Sequence, residues 1–504
     1  MGARLRVGLT LGWCAGAAPR TRRAVPPPHP FGGRGSIRFV AITAFAFALI
    51  GSAALAQPVE APSPTPPSAS PSASVTPSPA PPAGVIPPTI TVNVTGSPGT
   101  DGDVLYAQVR AAVDRAIRPS LRTGGALHDG AVAPWPVPPL AAGGRTAVNV
   151  TTTLDGDENS SPVTGTTTVW VYSLPAPPPV PSLLFLSDDP EYLDAEGLVF
   201  RGAVAPQRPA RLYYYHSDVG VPRDLDVVLT ADAPSRVQLV EADAGPDLDV
   251  MSVGHSVSRD FLRYELGNEG TIVDLVPGRP FVLRHALILQ GELAAGAVDV
   301  QVLSGATVGV SVVASPAGGH PEQYLAGPRV PFDGHNRHGI FALDGYGALA
   351  ESYDVGTPDV AVRYGGRTPT PRNVDPHDPG HDFGDYGILH RITFTLRNPT
   401  DAPSLVYLYE KPLGGPLRSS FLVDGQLKEL GCVRVPQPYW IQTYQLPAHT
   451  DGASTTVTMP DGGSYYPVEF GVTGTQPQLD TPPVGAPQGC SSAVTPFAEP
   501  TATN

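Results

Sequence analysis

The sequence predicts a mainly β protein: two immunoglobulin-like antiparallel β-sandwiches, preceded by a small β-α-β-β module and a disordered Pro-rich stalk. Three observations predict this fold class. Between residues 182 and 472, short apolar stretches rich in Val, Leu, Tyr and Thr recur between Gly, Pro and Asp turns, with essentially no helical periodicity. Residues 225–241 resemble residues 392–410, and both contain an Asp-Ala-Pro-Ser tetrad, which indicates two related sandwiches. Residues 57–88 are mostly Pro, Ser and Ala, with almost no large apolar side chain.

The first 56 residues are predicted to be a secretory signal peptide. They contain seven Arg and no acidic residue, and an apolar run from Phe39 ends in Ala54-Leu55-Ala56. A basic region, an apolar region and an A-x-A site in this order predict cleavage before Gln57. An uncleaved single-pass anchor is the alternative, but a run of 18 residues is short for one. We expect a chain secreted into the periplasm or outside the cell, with no transmembrane segment after cleavage.

Changes in composition divide the rest of the chain. A segment of Pro, Ser and Ala cannot bury enough apolar surface to offset chain entropy, so the first segment is expected to be disordered. The predicted segments are a disordered linker at 57–88, a small α/β module at 89–174, a first β-sandwich at 182–318, a connecting segment with added strands at 319–384, a second β-sandwich at 385–476 and a C-terminal tail at 477–504.

The module is predicted element by element. Residues 89–95 alternate like a strand, and residues 103–117 place apolar side chains on one helical face, with Asp101 or Asp103 as cap. The next two strands then flank a polar loop, DGDENSSPV, as a β-hairpin.

Two cysteines, Cys432 and Cys490, remain after cleavage. In an oxidising compartment they most simply form one disulfide, which would attach the C-terminal tail to the last sandwich. Neither cysteine has His or carboxylate neighbours in the sequence that would complete a zinc site, so the structural interpretation is preferred.

The chain is acidic, with a formal net charge of -14 that becomes -21 when the seven N-terminal arginines are removed. A strongly acidic surface argues against nucleic acid and anionic lipid as partners. It is compatible with cell-wall, carbohydrate or protein surfaces and selects none of them.

Imidazole and carboxylate side chains are concentrated in residues 320–390. This range contains six of the 12 histidines. The stretch HDPGHDFGDYG offers His377, His381 and Asp382 as ligands of a divalent metal such as Zn, Mn or Fe. A metal there would make the protein a metal-dependent hydrolase built on residues 375–390.

The alternative interpretation of this stretch is a polar turn before a strand. Pro379 and Gly380 lie between the two histidines, so no helix holds them at their four-residue spacing. The pattern also lacks the known metalloenzyme spacings, and Asp, His, Pro and Gly are typical of turns. His335 or His338 would be the other available ligand if the metal interpretation holds.

Other searches for catalytic groups give weaker candidates. Residues 254–258, GHSVS, lack the closing Gly of a nucleophile elbow and the strand-to-helix turn that it needs. The carboxylate pairs Asp224/Asp226 and Asp247/Asp249 are expected in solvated turns rather than as a glycosidase pair.

Aromatic side chains offer a carbohydrate-binding alternative. The strand RLYYYHSD, residues 211–218, has aromatic side chains on both faces, one expected in the core and the other a candidate platform. Exposed Tyr439 and Trp440 would be a second candidate, although a Trp in such a strand is ordinarily a core residue.

Several motifs together resemble a known family. The stretches YYYHSDVG, VPGRPFVL, ATVGVSVVAS and GDYGILHRITFTLRNPT follow one another in an order similar to an uncharacterised family of secreted bacterial β-sandwich proteins, best known from cyanobacteria as a domain of unknown function. The resemblance covers about residues 183–472, with residues 384–387 its most specific motif. It implies an exported β-sandwich and brings no activity, cofactor or catalytic residue. It also implies that the histidines before residue 384 are outside the motif, which favours a turn over a metal site.

The leading hypothesis from the sequence is therefore an exported, non-catalytic protein of the cell envelope or the extracellular space, with a structural, adhesion or ligand-binding role. The metal-dependent hydrolase and the carbohydrate-binding module remain as alternatives. No cofactor is expected apart from the divalent metal of the hydrolase alternative.

Overall fold

The computed structural model describes residues 80–122, 125–157, 159–334, 337–375 and 380–477. Strands predominate in these residues and form five sheets, accompanied by two α-helices. This is the mainly β fold class that the sequence predicts. The predicted signal peptide, the linker up to residue 79 and almost all of the predicted tail lie outside the described residues.

The N-terminal module packs one helix against one face of a small sheet. Its elements are β1 (Thr89–Thr95), β2 (Gly99–Thr100), α1 (Gly102–Ile117), β3 (Ala126–Ala133), β4 (Leu140–Ala141), β5 (Arg145–Asp155) and β6 (Val163–Ser173). Valines at alternate positions of β1, β5 and β6 pack against the apolar stripe of α1 and form a separate core. β1 runs parallel to β6, and β5 and β6 are the predicted hairpin. The β-α-β-β order is confirmed, with β3 added beside β5.

Residues 80–88, assigned to the linker by composition, lie along this module. Ala83 is fully buried, and its N–H donates to Ser161 O at 2.8 Å. Thr168 N–H donates to Pro88 O at 2.9 Å. The module therefore includes the last part of the Pro-rich segment, because that part pairs with the β5–β6 hairpin.

The first sandwich follows the module. Its strands are β7 (Leu183–Ser187), β8 (Tyr192–Leu193), β9 (Gly197–Val204), β10 (Ala210–Asp218), β11 (Arg223–Ala231), β12 (Ser235–Asp247), β13 (Gly270–Leu275), β14 (Phe281–Ile288), β15 (Leu293–Ser304) and β16 (Val308–Pro316). One sheet has the order β7-β10-β15-β12-β13, the facing sheet has the order β14-β11-β16-β9, and the largest apolar core lies between them. β13 pairs with β1, so the first of these sheets continues into the module as one long sheet.

The second sandwich and the segment before it supply the remaining strands: β17 (His338–Ala342), β18 (Ala348–Asp354), β19 (Val360–Tyr364), β20 (Arg372–Asn373), β21 (His390–Asn398), β22 (Ser404–Pro412), β23 (Leu417–Val423), β24 (Gln426–Val433), β25 (Tyr439–Leu446), β26 (Thr450–Thr458) and β27 (Val468–Thr473). The sheets β18-β21-β26-β23-β24 and β19-β27-β22-β25 enclose a second core. The segment at 319–384 contains added strands as predicted, and the two sandwiches share them, because β17 and β20 extend the long sheet whereas β18 and β19 belong to the second sandwich.

The resemblance between residues 225–241 and 392–410 has a structural counterpart. β11 and β12 in the first copy, and β21 and β22 in the second, are joined by the turn that contains the Asp-Ala-Pro-Ser tetrad. In both copies the first strand belongs to one sheet and the second strand to the sheet that faces it. Val237 and Leu239 lie in the first core, and Val406 and Leu408 occupy the matching positions in the second.

The prediction that no helix follows residue 182 is wrong, because α2 (Val250–Gly267) connects β12 to β13. The Asp249 side chain caps the helix by accepting from Ser252 N–H, and Asn268 ends it in the left-handed region at φ 49°. Gly254 is required by packing, since a Cβ there would lie 2.0 Å from Gly462 O in the second sandwich. The helix thus lies between the two sandwiches. Within the described ranges, no helix is long and apolar enough to cross a membrane.

The two sides of the long sheet differ in what covers them. Paired residues share a side, and the register Val94–Thr271–Leu239 places α1 and the facing sheet of the first sandwich on the same side. The register Asn93–Ile272–Gln238 follows the other side. On that side α2 covers β12 and β15, whereas β1, β6 and β5 have no helix or sheet over them among the described elements.

Candidate functional site

The predicted metal ligands do not converge among the described residues. His377 lies outside them, His381 is exposed with its ring 5.2 Å from that of Phe383, and Asp382 is fully buried. Within the described ranges no group of three or more His, Cys, Asp and Glu side chains could hold a metal ion. The site that includes His377 stays a prediction, and its two described members point to different environments.

Residues 384–387, just after this stretch, form a turn that attaches one sandwich to the other. Asp385, at φ 56°, accepts from Gly365 N–H at 2.8 Å and from the Tyr346 hydroxyl at 3.0 Å. Its Oδ2 lies 3.2 Å from His390 Nε2. The next glycine, Gly387, packs so closely on the long sheet that a Cβ there would lie 2.7 Å from the Cβ of a β10 tyrosine. The Gly-Asp-Tyr-Gly stretch therefore leads into β21 as a structural turn.

Of the additional ligands of the hydrolase hypothesis, His338 alone lies among the described residues. His335 lies outside the described residues, and His338 is buried at the start of β17. His338 Nδ1 lies 3.2 Å from Asp189 Oδ2, and its ring stacks on Phe332 at 3.9 Å. His338 is thus buried, whereas His381 is exposed.

A second buried histidine connects α2 to the second sandwich. His255 Nδ1 lies 2.6 Å from Asp461 Oδ2, and its Nε2 lies 2.9 Å from Glu429 Oε1. Burial alone would lower the pKa of His255, but the charges and hydrogen bonds of Asp461 and Glu429 outweigh it and raise the pKa to about 9. The ring is therefore a cation near neutral pH, held between two acceptors. The sequence gives no signal for this group, because 206 residues separate His255 from Asp461.

Buried ion pairs hold the same interface. Arg211 and Asp299 form a bidentate pair at 2.7 and 2.9 Å, and the guanidinium also donates to Gly387 O and lies 4.6 Å from the centre of the Phe261 ring of α2. Nearby, Arg337 Nε lies 3.1 Å from Asp188 Oδ2. Burial raises the pKa of Asp188 well above its usual value, against the opposing effect of Arg337. Arg211, Asp299 and Asp188 are buried and Arg337 is partly exposed, and this arrangement of paired charges suits a fixed interface rather than catalysis.

The carboxylate pairs of the sequence analysis also have structural roles. Asp224 and Asp226 are buried on β11, so the expectation of solvated turns is wrong for this pair. His285 lies between them, with Nδ1 2.8 Å from Asp226 and Nε2 3.5 Å from Asp224, so no substrate bond can occupy that space. Asp249 is the α2 cap, and Asp247 accepts from its N–H at 2.8 Å.

The prediction of an aromatic platform in residues 211–218 is wrong, because residues 213–216 of β10 are buried on both faces of the strand. One face packs into the first core and the other packs against α2. The expectation that Trp440 is a core residue is also wrong, since 37% of it is exposed. Tyr439 beside it is buried in the second core, so the two rings do not form one platform.

The predicted disulfide is not tested by the described residues. Cys432 lies on β24, at the edge of its sheet, whereas Cys490 lies outside the described ranges. The pairing stays a prediction.

A shallow depression of about 400 Å³ opens at one end of the second sandwich. Tyr353, Asp359, Leu405 and Thr475 contribute to its wall. Asp359 is the one charged residue in this wall, and the depression contains no paired acid and base that would suit catalysis.

The sequence analysis did not identify the uncovered side of the module as a surface. Apolar side chains of β1, β5 and β6 point to α1, and the alternate positions point to solvent. We call these outward residues the open face: Thr89, Thr91 and Asn93 of β1, Ala147, Asn149, Thr151 and Thr153 of β5, and Thr164, Thr166, Thr168, Trp170 and Tyr172 of β6.

The strand register arranges the open face in regular rows. Trp170 is 41% exposed and lies between Thr91 and Ala147, the latter small enough to leave the ring uncovered. In the next row the Thr168 hydroxyl donates to Asn149 Oδ1 at 2.9 Å. Two threonine pairs follow, with hydroxyl oxygens 3.3 and 3.0 Å apart. At about 3.4 Å per residue, the β6 side of this surface is about 27 Å long.

Charge lies at the borders of the open face, which include the exposed ion pair Arg236–Asp274, at 3.9 Å, on the same side of the sheet in β12 and β13. Arg145 lies in the row of Tyr172 at one end, and the exposed ion pair His128–Asp155, at 2.7 Å, lies at the other. The rows between them contain Thr, Asn, Ala and Trp. On a chain with a formal net charge of -14, this surface is a neutral area. Its signal in the sequence is the alternation of Val with Asn and Thr in AVNVTTTL, and of Val with Trp in TTTVWVY.

Comparison with known proteins adds no assignment. No protein-family model matches the chain, and no curated protein matches it. Among solved structures the chain is similar to Lac15 from a marine microbial metagenome, with 11% identity over 66% of this chain and 73% of that chain and a TM-score of 0.12. It is also similar to the N-terminal CBM22-1-CBM22-2 tandem domain of Xyn10C from Paenibacillus barcinonensis, with 7% identity, 57% and 92% coverage and a TM-score of 0.13. Both TM-scores are too low to support an argument about function, and the resemblance to the cyanobacterial family stays a prediction.

Proposed function

We propose that the protein is an exported, non-catalytic β-sandwich protein that binds carbohydrate through its open face. The observation that carries the proposal is the bare side of the module's sheet. The same side of the long sheet is covered by α2 in the first sandwich, whereas at the module it presents an exposed Trp among hydroxyl and amide groups. Trp side chains are enriched at binding interfaces, where the ring is apolar and its edge stays accessible.

The chemistry of the open face matches a neutral polysaccharide. The Trp170 ring offers a flat apolar surface for the C–H face of a sugar ring. Threonine hydroxyls donate and accept, and the Asn149 amide does both, so they can pair with sugar hydroxyls of either polarity. The width of three strands, about 10 Å, and the length of about 27 Å suit a chain of several sugar units rather than a single sugar.

The buried titratable groups support the non-catalytic part of the proposal. His255, His285 and His390 each lie beside carboxylates of their own. A hydrolytic site needs its acid, base or metal ligands to converge beside a substrate. Groups that are distributed and closed to solvent in this way stabilise packing.

The test is binding of the mature chain to insoluble polysaccharides, with cellulose, chitin and peptidoglycan sacculi as probes. We expect retention on at least one of them and a loss of affinity of about tenfold or more in Trp170→Ala. Trp135→Ala is the matched control, because Trp135 is 69% exposed and contacts Tyr106 of α1, on the opposite side of the module. Trp440→Ala tests the aromatic site that the sequence suggests.

Two outcomes would contradict the proposal. One is the absence of binding to all three probes. The other is binding that Trp170→Ala leaves unchanged, and if Trp440→Ala then abolishes it, the carbohydrate site lies on the second sandwich.

A further inference from the structure

One end of the first sandwich presents a group of exposed apolar side chains. They come from the β10–β11 loop, from the end of β14 with the turn that follows it, and from the segment before α2. Their exposed fractions are 44% for Val219, 61% for Val221, 44% for Leu287, 46% for Leu289 and 70% for Leu248. We call these five residues the apolar end.

Contacts between the loops show that these residues form one surface. Gly291 N–H donates to Asp218 O at 2.7 Å, and the Gln290 side chain reaches Val219 O at 3.5 Å. Leu248 Cδ2 lies 3.4 Å from the position of a Cβ on Gly291. Tyr192, 44% exposed, borders the same end, because Tyr192 pairs with Ser217 just before the first loop.

A buried ion pair holds the first loop in place. Arg223 is 6% exposed and donates to both carboxylate oxygens of Asp218 at 3.1 Å. The same guanidinium donates to Asp194 O at 2.8 Å and to Val221 O at 3.3 Å. The loop is therefore fixed with its valines directed to solvent, which is the opposite of what burial of apolar surface favours in an isolated protein.

Several backbone N–H groups of these loops have acceptors within the protein. Gly220 N–H donates to Asp218 Oδ1 at 2.6 Å, and Leu289 N–H donates to Glu292 Oε2 at 2.9 Å. Glu292 N–H in turn donates to Leu289 O at 2.9 Å. A segment whose N–H groups have protein acceptors can leave water at low cost, which is the condition for entry into a lipid interface.

The charges around the apolar end restrict its partner. Residues 218–223, 245–249 and 287–293 contain one basic residue, the buried Arg223, whereas Asp194, Asp247 and Glu292 lie at the rim. A second copy would bring the same acidic rim against this one, and an anionic lipid surface would repel it. Separate convex side chains also fit a fluid interface better than a folded partner, which would need matching pockets.

From this we propose that the apolar end docks on a zwitterionic lipid surface, with Val219, Val221, Leu248, Leu287 and Leu289 in the boundary between headgroups and acyl chains and Tyr192 at its edge. The acidic rim stays in water. This docking is independent of the open face, which lies on the module.

The experiment is co-flotation of the mature chain with vesicles of pure phosphatidylcholine, and with vesicles in which half of the lipid is phosphatidylglycerol. We expect binding to the first kind, insensitive to salt, and weaker binding to the second at low salt. Val221→Asp should reduce partitioning by about tenfold or more. Val276→Asp is the matched control: Val276 is 55% exposed and lies at the opposite end of β14.

The results separate the possible occupants. Absence of flotation with both vesicles, or equal losses in Val221→Asp and Val276→Asp, overturns the proposal. Dimerisation in sedimentation velocity that Val221→Asp abolishes, without vesicle binding, would also overturn it and identify a second copy as the occupant. If Val221→Asp fails to fold, as judged by its thermal transition, a Val219→Ser, Val221→Ser variant takes its place and the same outcomes decide.

Discussion

The clearest physical prediction concerns two buried histidines that should give opposite dependences of stability on pH. His255 is held between Asp461 and Glu429, and its pKa is raised to about 9 in the folded protein. His216, in β10, is fully buried, and burial lowers its pKa to about 4. Its Nδ1 donates to Pro190 O at 2.8 Å and its Nε2 accepts from a serine hydroxyl at 2.9 Å, so the neutral ring is satisfied.

The magnitude follows from the difference between folded and unfolded pKa values. An unfolded histidine has a pKa of about 6.5, so the folded and unfolded pKa values of each ring differ by about 2.5, equivalent to about 3 kcal/mol of unfolding free energy. A raised folded pKa means that the contribution of His255 is fully present below pH 6.5 and is lost as pH rises through 9. A lowered folded pKa means that the contribution of His216 is present above pH 6.5 and is lost as pH falls through 4.

The assay is urea unfolding of the wild type, His255→Gln and His216→Gln at several pH values between 4 and 10. The advantage of the wild type over His255→Gln should decrease by about 3 kcal/mol between pH 6 and pH 9.5. Its advantage over His216→Gln should be constant above pH 7 and decrease by about 3 kcal/mol towards pH 4. Each variant serves as the control for the other, because both remove a buried imidazole.

The neighbouring charges need separate treatment. Asp461 loses its cation in His255→Gln, so the comparison is repeated in an Asp461→Asn background, where only Glu429 faces the ring and the decrease should be smaller with the same sign. Glu410, whose pKa is raised to about 8 by burial, also destabilises the fold as pH rises, but it is present in every variant and cancels in the differences. A stability difference between the wild type and His255→Gln that does not change between pH 6 and pH 9.5 would refute the stabilisation of a charged His255 by Asp461 and Glu429.

Two further predictions concern packing at the same interface. Arg211→Met should destabilise the protein by about 3–5 kcal/mol in urea unfolding, because it leaves the buried Asp299 carboxylate unpaired. Adding Asp299→Leu should restore most of the lost stability. A double variant no more stable than the single one would contradict this reasoning. Gly387→Ala should lower the free energy of unfolding by more than about 2 kcal/mol, because its φ is 78° and a Cβ would clash with Tyr213. Gly356→Ala is the control, with φ 91° and open space around it, and should lower the free energy of unfolding by about 1 kcal/mol. Equal losses in the two variants would rule out the clash as the cause.

The module and both sandwich cores follow from local sequence patterns. In β5 and β6, Val148, Val150, Val169 and Val171 alternate with polar residues, and a period of two places them all against α1. The pairing of β13 with β1, which joins the module to the first sandwich, has no such local signal. It depends on the relative position of segments about 180 residues apart, which alternation does not specify.

The missed helix shows where local patterns fail. Ser, Gly, His and Val make α2 a weak helix former, so its stability comes from packing on both sides rather than from propensity. Met251, Val257 and Phe261 are buried, but the polar residues His255 and Ser258 between them are buried too, and this hides the apolar stripe. The caps at Asp249 and Asn268 were the signal that the sequence did contain.

Among the described residues, the His and Asp side chains of this region satisfy one another in pairs, whereas the site that includes His377 stays a prediction. A loop buried between two sandwiches needs acceptors for its N–H groups, and a buried carboxylate needs a donor in return. His338 with Asp189 and His390 with Asp385 meet this need in separate places, each imidazole beside one carboxylate. A metal site requires at least three such groups at one point. Because each of these two histidines is paired with its own aspartate, neither pair brings three ligands together. Composition reports how many polar groups are buried along such an interface, and only the fold decides whether they meet.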